Sequence, residues 1–214
     1  MEFLPTNIEQ YTENHTQAES NLLNDLNRDT NLNVLQPRML SGHVQGRILS
    51  MFSKMIRPNC ILEIGTYTGY AALCMAEGLT KTGELHTIDN NEELEKRITK
   101  YFDASDYSGQ LHFHIGDALD IIPALNIKPD LTFIDADKEN YLNYYKLIID
   151  QLDSGSFIIA DNVLWSGKVT DEEIRMNDEE TKALHTFNEF IHQDERVENV
   201  LFPVRDGLMV IRKK

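Results

Sequence analysis

The apolar positions of this chain change rhythm near Cys60. Beyond it, short segments at residues 60–64, 84–88, 111–115, 131–134 and 157–160 have the length and composition of buried strands. Between them, residues 70–79, 92–102, 118–124 and 141–152 fit crossover helices. Strands alternating with helices imply a parallel sheet covered on both faces. The chain's end breaks this rhythm. Residues 200–211 hold two apolar runs joined at Arg205-Asp206-Gly207, a hairpin signal that adds an antiparallel edge. The expected fold is α/β: a doubly wound, mostly parallel seven-stranded sheet with an antiparallel C-terminal hairpin.

The stretch before Cys60 reads differently. Ile8, Tyr11, Ala18, Leu22, Leu23 and Leu26 recur at spacings near three and four, which predicts one or two amphipathic helices over residues 6–28. Residues 29–33 (Asp-Thr-Asn-Leu-Asn) break that pattern. A further helix is expected from Gly42 to about Met55, and Pro58 ends it before the first strand. Residues 1–57 therefore form a helical cap or a dimer face, and residues 58–214 the α/β core, within one domain spanning 1–214.

Composition narrows the partners. The 214 residues carry 20 basic and 35 acidic side chains, a formal charge of −15. Such a surface repels phosphate backbones and anionic membranes, so nucleic acid is a poor default partner. Cys60 and Cys74 sit in apolar contexts without a C-x-x-C, as reduced core thiols do. The start, Met1-Glu-Phe-Leu-Pro-Thr-Asn7, lacks the basic region and apolar core of a leader, and no run approaches the ~18 apolar residues of a membrane span. The expectation is a cytoplasmic protein.

The chemistry starts at Ile61-Leu-Glu-Ile-Gly-Thr-Tyr-Thr-Gly-Tyr70, an apolar strand ending in a glycine-bearing turn before a helix of small residues. Gly65 and Gly69 let the backbone bend and a ligand approach it. A dinucleotide fingerprint needs G-x-G-x-x-G, and Tyr67 stands where its second glycine would be, which disfavours an NAD-dependent oxidoreductase. Glu63 adds a carboxylate at the strand's end. Asp89 ends the next apolar stretch, where an acid can hold ribose hydroxyls.

Two later strands also end in acids, at Asp135 and at Asp161-Asn162. With a helix between them they suit neighbouring parallel strands, about 4.8 Å apart. Two carboxylates that close need a shared proton or a cation. Asn162 adds a neutral oxygen, and three hard oxygens suit Mg²⁺, with Mn²⁺ or Ca²⁺ as substitutes. Either acid taken alone would read as a helix cap.

The stretches E-I-G-T-Y-T-G-Y, D-A-D-K-x-x-Y and D-N-V-L-W together resemble the motifs of cation-dependent S-adenosylmethionine O-methyltransferases, the caffeoyl-CoA and catechol type. The likeness runs from about Leu35 to Arg212. It implies a class I methyltransferase fold, Rossmann-like, and a homodimer. It also implies metal ligation by Asp135, Asp161 and Asn162, with Lys138 as catalytic base beside Asp135. The same likeness puts Met39, Ser41, Glu63, Gly65, Tyr67, Asp89, Asp117, Ala118, Asp135 and Asp137 around S-adenosylmethionine, and Trp165 with Lys138 against the acceptor.

Two departures bear on these roles. Ala71 stands where the family often has Ser, and Ser166-Gly167-Lys168 replaces the Asn-Gly-Ser of the plant enzymes. The implied reaction is methyl transfer to a hydroxyl of a small catechol- or hydroxycinnamoyl-type molecule. Two rivals are methylation of a tRNA wobble hydroxyuridine, which a basic patch of Arg38, Arg47, Lys54 and Arg57 would favour, and a non-catalytic S-adenosylmethionine-binding module. The acidic residues 170–180 read as irregular, a lid or a specificity insertion. His43 could reach the site or cap the surface, and His112 and His114 read as strand residues on one face.

Overall fold

Residues 5–214 are described by a computed structural model; Met1–Leu4, part of the segment read above for a leader, lie outside the described residues. Five strands run parallel: β1 (Cys60–Ile64), β2 (Glu84–Asp89), β3 (Leu111–Ile115), β4 (Leu131–Ile134) and β5 (Phe157–Ala160). The hairpin strands β6 (Val197–Phe202) and β7 (Leu208–Lys213) complete a seven-stranded sheet in the order β3-β2-β1-β4-β5-β7-β6. β7 lies antiparallel to both β5 and β6. Strand order reverses between β1 and β4, which opens a crevice at their carboxyl ends, where open α/β sheets bind ligands.

Side-chain alternation gives the central strands two apolar faces. Ile61, Leu85, Leu111, Leu131 and Phe133 pack on one side, with α2 (Asn21–Asn33), α3 (Gly42–Ile56) and α4 (Tyr70–Ala76). Leu62, Ile64, Ile88, Ile134 and Ile158 pack on the other, with α6 (Ala118–Leu125), α7 (Tyr141–Ile149) and α9 (Glu179–Gln193). The remaining helices among the described residues are α1 (Thr6–Asn14), α5 (Glu95–Asp103) and α8 (Glu172–Asn177). None is long and apolar enough to cross a membrane.

Three expectations need correction. Residues 29–33 do not break the helix; α2 continues to Asn33. Thr30 is buried on the face shared by Leu23 and Leu26, its hydroxyl donates to Thr68 at 3.2 Å, and Arg97 pairs with Asp29 at 2.7 Å. Tertiary burial outweighs the weak helix propensity of Asp, Thr and Asn there. Residues 170–180 are not irregular either: they hold α8, capped by Asp171, and the start of α9. Helix α9 itself went unpredicted. It buries Thr181, Leu184, Phe187 and Ile191, and each of the three apolar side chains stabilises the fold by about 1.5–3 kcal/mol.

Candidate active site

Positive φ and close packing shape the first turn. Gly65 has φ +97°, and a Cβ there would lie 1.9 Å from the Asp135 carbonyl oxygen. Its N–H bonds Ile88 O at 2.9 Å, and the Asp135 N–H bonds Ile64 O at 2.9 Å, so the ends of β1, β2 and β4 are tied together. Tyr67 also has positive φ (49°), and its N–H donates to Asp89 Oδ2 at 2.7 Å. The Tyr67 hydroxyl reaches Gln36 O at 3.2 Å and fastens the segment before α3 over the crevice.

The crevice holds a cavity of about 1350 Å³ at the strands' carboxyl ends. Every residue expected at the site lines it except Glu63. That carboxylate is fully buried beneath the turn and accepts a bond from Thr87 Oγ1, while its Oε1 has no partner among the described residues. Burial pushes the Glu63 carboxyl up to about 8, against one lowering contact from Thr87, and nearby Asp135 and Asp89 add to the rise. Asp117 caps α6 through Leu119 N–H at 2.8 Å. Asp137 accepts from Tyr144 and Asn140, both at 2.5 Å.

The acids that follow β4 and β5 stand side by side because the two strands pair in register up to Ile134 and Ala160. Asp161 is 3 % exposed, and burial first, then the adjacent Asp135, holds its carboxyl well above the usual carboxylate range. Gln45 Nε2 donates to its Oδ2 at 2.5 Å and the Asn162 N–H to its Oδ1 at 2.7 Å. Asn162 takes φ 59°, which the short Asn side chain tolerates. Lys138 Nζ contacts Asn162 Oδ1 at 2.8 Å, Asp135 Oδ1 at 3.2 Å and Tyr141 OH at 2.6 Å.

Two of the three expected ligand oxygens thus already converge on one cationic atom, beside a buried carboxylate that burial and a like charge disfavour as an anion. A divalent cation fits this set of hard oxygens.

Trp165 forms the outer wall. Trp165, Ser166 and Gly167 all have positive φ (47°, 55° and 79°), a shape held by the hairpin turn: Ser166 N–H donates to Asp206 Oδ1 at 2.5 Å and Leu164 N–H to Asp206 O at 2.9 Å. The Lys138 and Lys168 ammonium groups each lie 5.7 Å from the Trp165 ring centre, and its indole N–H has no partner among the described residues.

Three contributors went unseen in the sequence: Gln45, Arg205, which donates to Gln45 Oε1 at 2.9 Å, and Asp206. They sit far along the chain from the residues they support, so no local spacing reveals them. His43 does not line the cavity; its Nε2 contacts Gln17 O at 2.7 Å.

Sheet order and a crevice at the switch point define a class I methyltransferase fold. The comparisons with known proteins agree. The model of the O-methyltransferase family matches residues 13–214. Caffeoyl-CoA O-methyltransferase of Medicago sativa is 32% identical over 192 residues, covering 82% of this chain and 75% of that one. Flavonoid 3',5'-methyltransferase of Vitis vinifera is 30% identical, covering 79% and 76%. Among solved structures, the methyltransferase PaMTH1 of Podospora anserina, bound to SAH, superposes with TM-score 0.89 at 27% identity, covering 99% of this chain and 98% of that one. An O-methyltransferase of Bacillus cereus in complex with SAH gives 0.86 at 25% identity, covering 97% of each. This chain belongs to the O-methyltransferase family.

Proposed function

We propose that this enzyme moves the methyl group of S-adenosylmethionine to a hydroxyl of a small catechol- or hydroxycinnamoyl-type acceptor, and that it needs a divalent cation, Mg²⁺ in the first instance. The observation that carries the cation is the meeting of the Asp135 and Asn162 oxygens on Lys138 Nζ, next to buried Asp161. The named relatives' acceptors support the substrate class, and SAH in the two solved relatives supports the donor.

Asp135, Asp161 and Asn162 would hold the cation, which supplies positive charge that lowers the pKa of an acceptor hydroxyl. S-adenosylmethionine brings a methyl group already activated by its sulfonium. Met39, Ser41, Gly65, Tyr67, Asp89, Asp117, Ala118 and Asp137 line the volume assigned to it. Asp89 spends one lone pair of Oδ2 on Tyr67 N–H and one of Oδ1 on Asn91 N–H, which leaves acceptors for ribose hydroxyls. Glu63 underpins the turn from below.

Lys138 directs its side-chain nitrogen at the Asp135 and Asn162 oxygens, where the acceptor hydroxyl would sit. Its three acceptors match the three N–H bonds of an ammonium group, an arrangement that favours stabilising the developing anion over taking a proton. Trp165 presents an aromatic face to the acceptor ring.

The helical N-terminal part and the sheet work as one unit, because Gln45 of α3 bonds the acid at the end of β5. Exposed Met55, Val200 and Phe202 near Phe52, whose ring meets Phe202 at 6.1 Å, offer an apolar patch for a homodimer. Two free cysteines support a reducing, cytoplasmic setting. Two of the four residues of the basic patch, Arg47 and Lys54, pair with Glu77 at 2.7 Å, which counts against the RNA reading.

The test is methyl transfer to a panel of catechols and hydroxycinnamoyl esters, with and without chelator, by the wild type and Asp161→Ala. Turnover should vanish with chelator, return with Mg²⁺ and be lost in the variant. Turnover insensitive to chelator would dismiss the cation.

A further inference from the structure

A second cluster of ligating side chains lies at the other end of β2, away from the crevice. In the parallel register His86 stands opposite His112, and Ile88 opposite His114. Glu84, two residues before His86, falls on the same face by the two-residue period of a strand. The three imidazoles and one carboxylate thus share one face at the sheet's edge. The His86 ring stacks on His112 with centroids 4.8 Å apart and on His114 at 5.3 Å.

The nitrogen positions give this cluster its direction. His86 Nδ1 and His114 Nε2 lie 3.1 Å apart, so one proton lies between them. With that proton on His86 Nδ1, its Nε2 is left as a lone pair, and it faces Glu84 Oε2 at 3.6 Å. His112 Nε2 faces Glu84 Oε1 at 3.8 Å, is shielded from solvent, and has no hydrogen-bond partner among the described residues. One ligand atom from each of Glu84, His86 and His112 lies within 4.8 Å of the others. With His112 Nε2 unprotonated as well, acceptors that face one another at these distances need a positive charge, a proton or a metal ion, between them. Histidines that bind metal carry the same orienting bond on the second ring nitrogen as His114 provides to His86.

We propose that Glu84, His86 and His112 form a metal site for a Zn²⁺-class transition-metal ion, with His114 orienting His86. Two imidazoles and a carboxylate are the donor set of borderline ions such as Zn²⁺, whereas Mg²⁺ prefers the all-oxygen set in the crevice. The Glu84 side chain is 57% exposed, which gives the ion an entry path and a water position. From Glu84 to Asp89 at the crevice is about 16 Å along β2. The ion is therefore structural: it ties the edge strand β3 to β2 and stabilises the fold in proportion to its affinity.

The experiment uses the full chain, stripped with chelator and then returned to millimolar MgCl₂, titrated with ZnCl₂ by calorimetry and followed by thermal unfolding. One Zn²⁺ should bind per chain at micromolar affinity or tighter, with a rise in Tm of several degrees. Glu84→Gln and His112→Gln, both at the sheet surface, should each weaken it by about tenfold or more. Asp161→Asn should leave it intact. Co²⁺ in place of Zn²⁺ should give the visible bands of a tetrahedral site on the unaltered chain, a readout that needs no variant to fold. No saturable Zn²⁺ binding beside Mg²⁺, or binding unchanged in the Glu84→Gln/His112→Gln double variant, would overturn the site.

Discussion

Gln45 Nε2 donates to Asp161 Oδ2 at 2.5 Å, joining the third helix to the acid at the end of the fifth strand. Arg205 from the hairpin turn holds the other end of the same amide, at 2.9 Å from Gln45 Oε1. Gln45 is 2 % exposed, so the bond is not screened by water. The amide therefore aims the Asp161 carboxylate and fixes which of its lone pairs face the crevice.

Removing that amide should act on the cation before it acts on the acceptor. Gln45→Leu keeps the volume and deletes the donor. We expect kcat to fall roughly 10- to 100-fold and the Mg²⁺ concentration for half-maximal rate to rise, with the KM for the acceptor nearly unchanged. Rates measured across a Mg²⁺ titration check this. A variant with wild-type Mg²⁺ dependence would remove Gln45 from any positioning role.

Gly65 should tolerate no side chain. Its φ of +97° already strains an L-residue, and the atom a Cβ would strike at 1.9 Å is backbone, the Asp135 carbonyl oxygen. Gly65→Ala must move the end of β4 and with it Asp135. The expected cost is more than about 2 kcal/mol in urea unfolding. Donor affinity, read by calorimetry, should fall with it. An alanine variant as stable as the wild type would show that the turn yields to a side chain.

Lys138 separates charge from proton transfer. Lys138→Met deletes the ammonium beside Asp135 and Asn162 and should lower kcat by about 10²–10³-fold while S-adenosylmethionine still binds. Lys138→Arg retains the charge but cannot serve as a base. If Lys138 works as a fixed cation, the arginine variant should retain more activity than the methionine variant; equal loss in both would favour proton transfer.

The parallel strands were legible because burial on both faces writes them as continuous apolar runs, and β1, β3, β4 and β5 lie at their expected residues. The acids at Asp135 and Asp161 were legible for the same reason, since each ends such a run. Helix α9 was not, because Thr181, Leu184, Phe187 and Ile191 form a narrow stripe among charged neighbours. Gln45, Arg205 and Asp206 carry no local signal, as their partners lie on other elements. The meeting of His86 with His112 and His114 depends on which strands become neighbours and in what register, and residue spacing does not encode that.

Glu63 provides the last prediction, through the pH dependence of stability. Burial raises its carboxyl from an ordinary value of 4.5 to about 8, and Oε1 faces no partner among the described residues. The folded chain therefore keeps this proton up to about pH 8, whereas the unfolded chain releases it near pH 4.5. Between those values the native state binds more protons, so stability falls as pH rises, by at most about 1.4 kcal/mol per unit from this group. Below the unfolded value both states are protonated and the contribution is complete; above the folded value it is gone and the curve flattens. Glu63→Gln holds a neutral amide at every pH and shifts stability by a constant amount, whatever its unpaired N–H bonds cost. Urea midpoints of the metal-free protein, wild type minus variant, should thus decline steadily from pH 5 to 8 and level off beyond. A difference that stays flat across that window would mean that Glu63 is ionised in the fold, and that a cation or donor group reaches beneath the turn to hold it so.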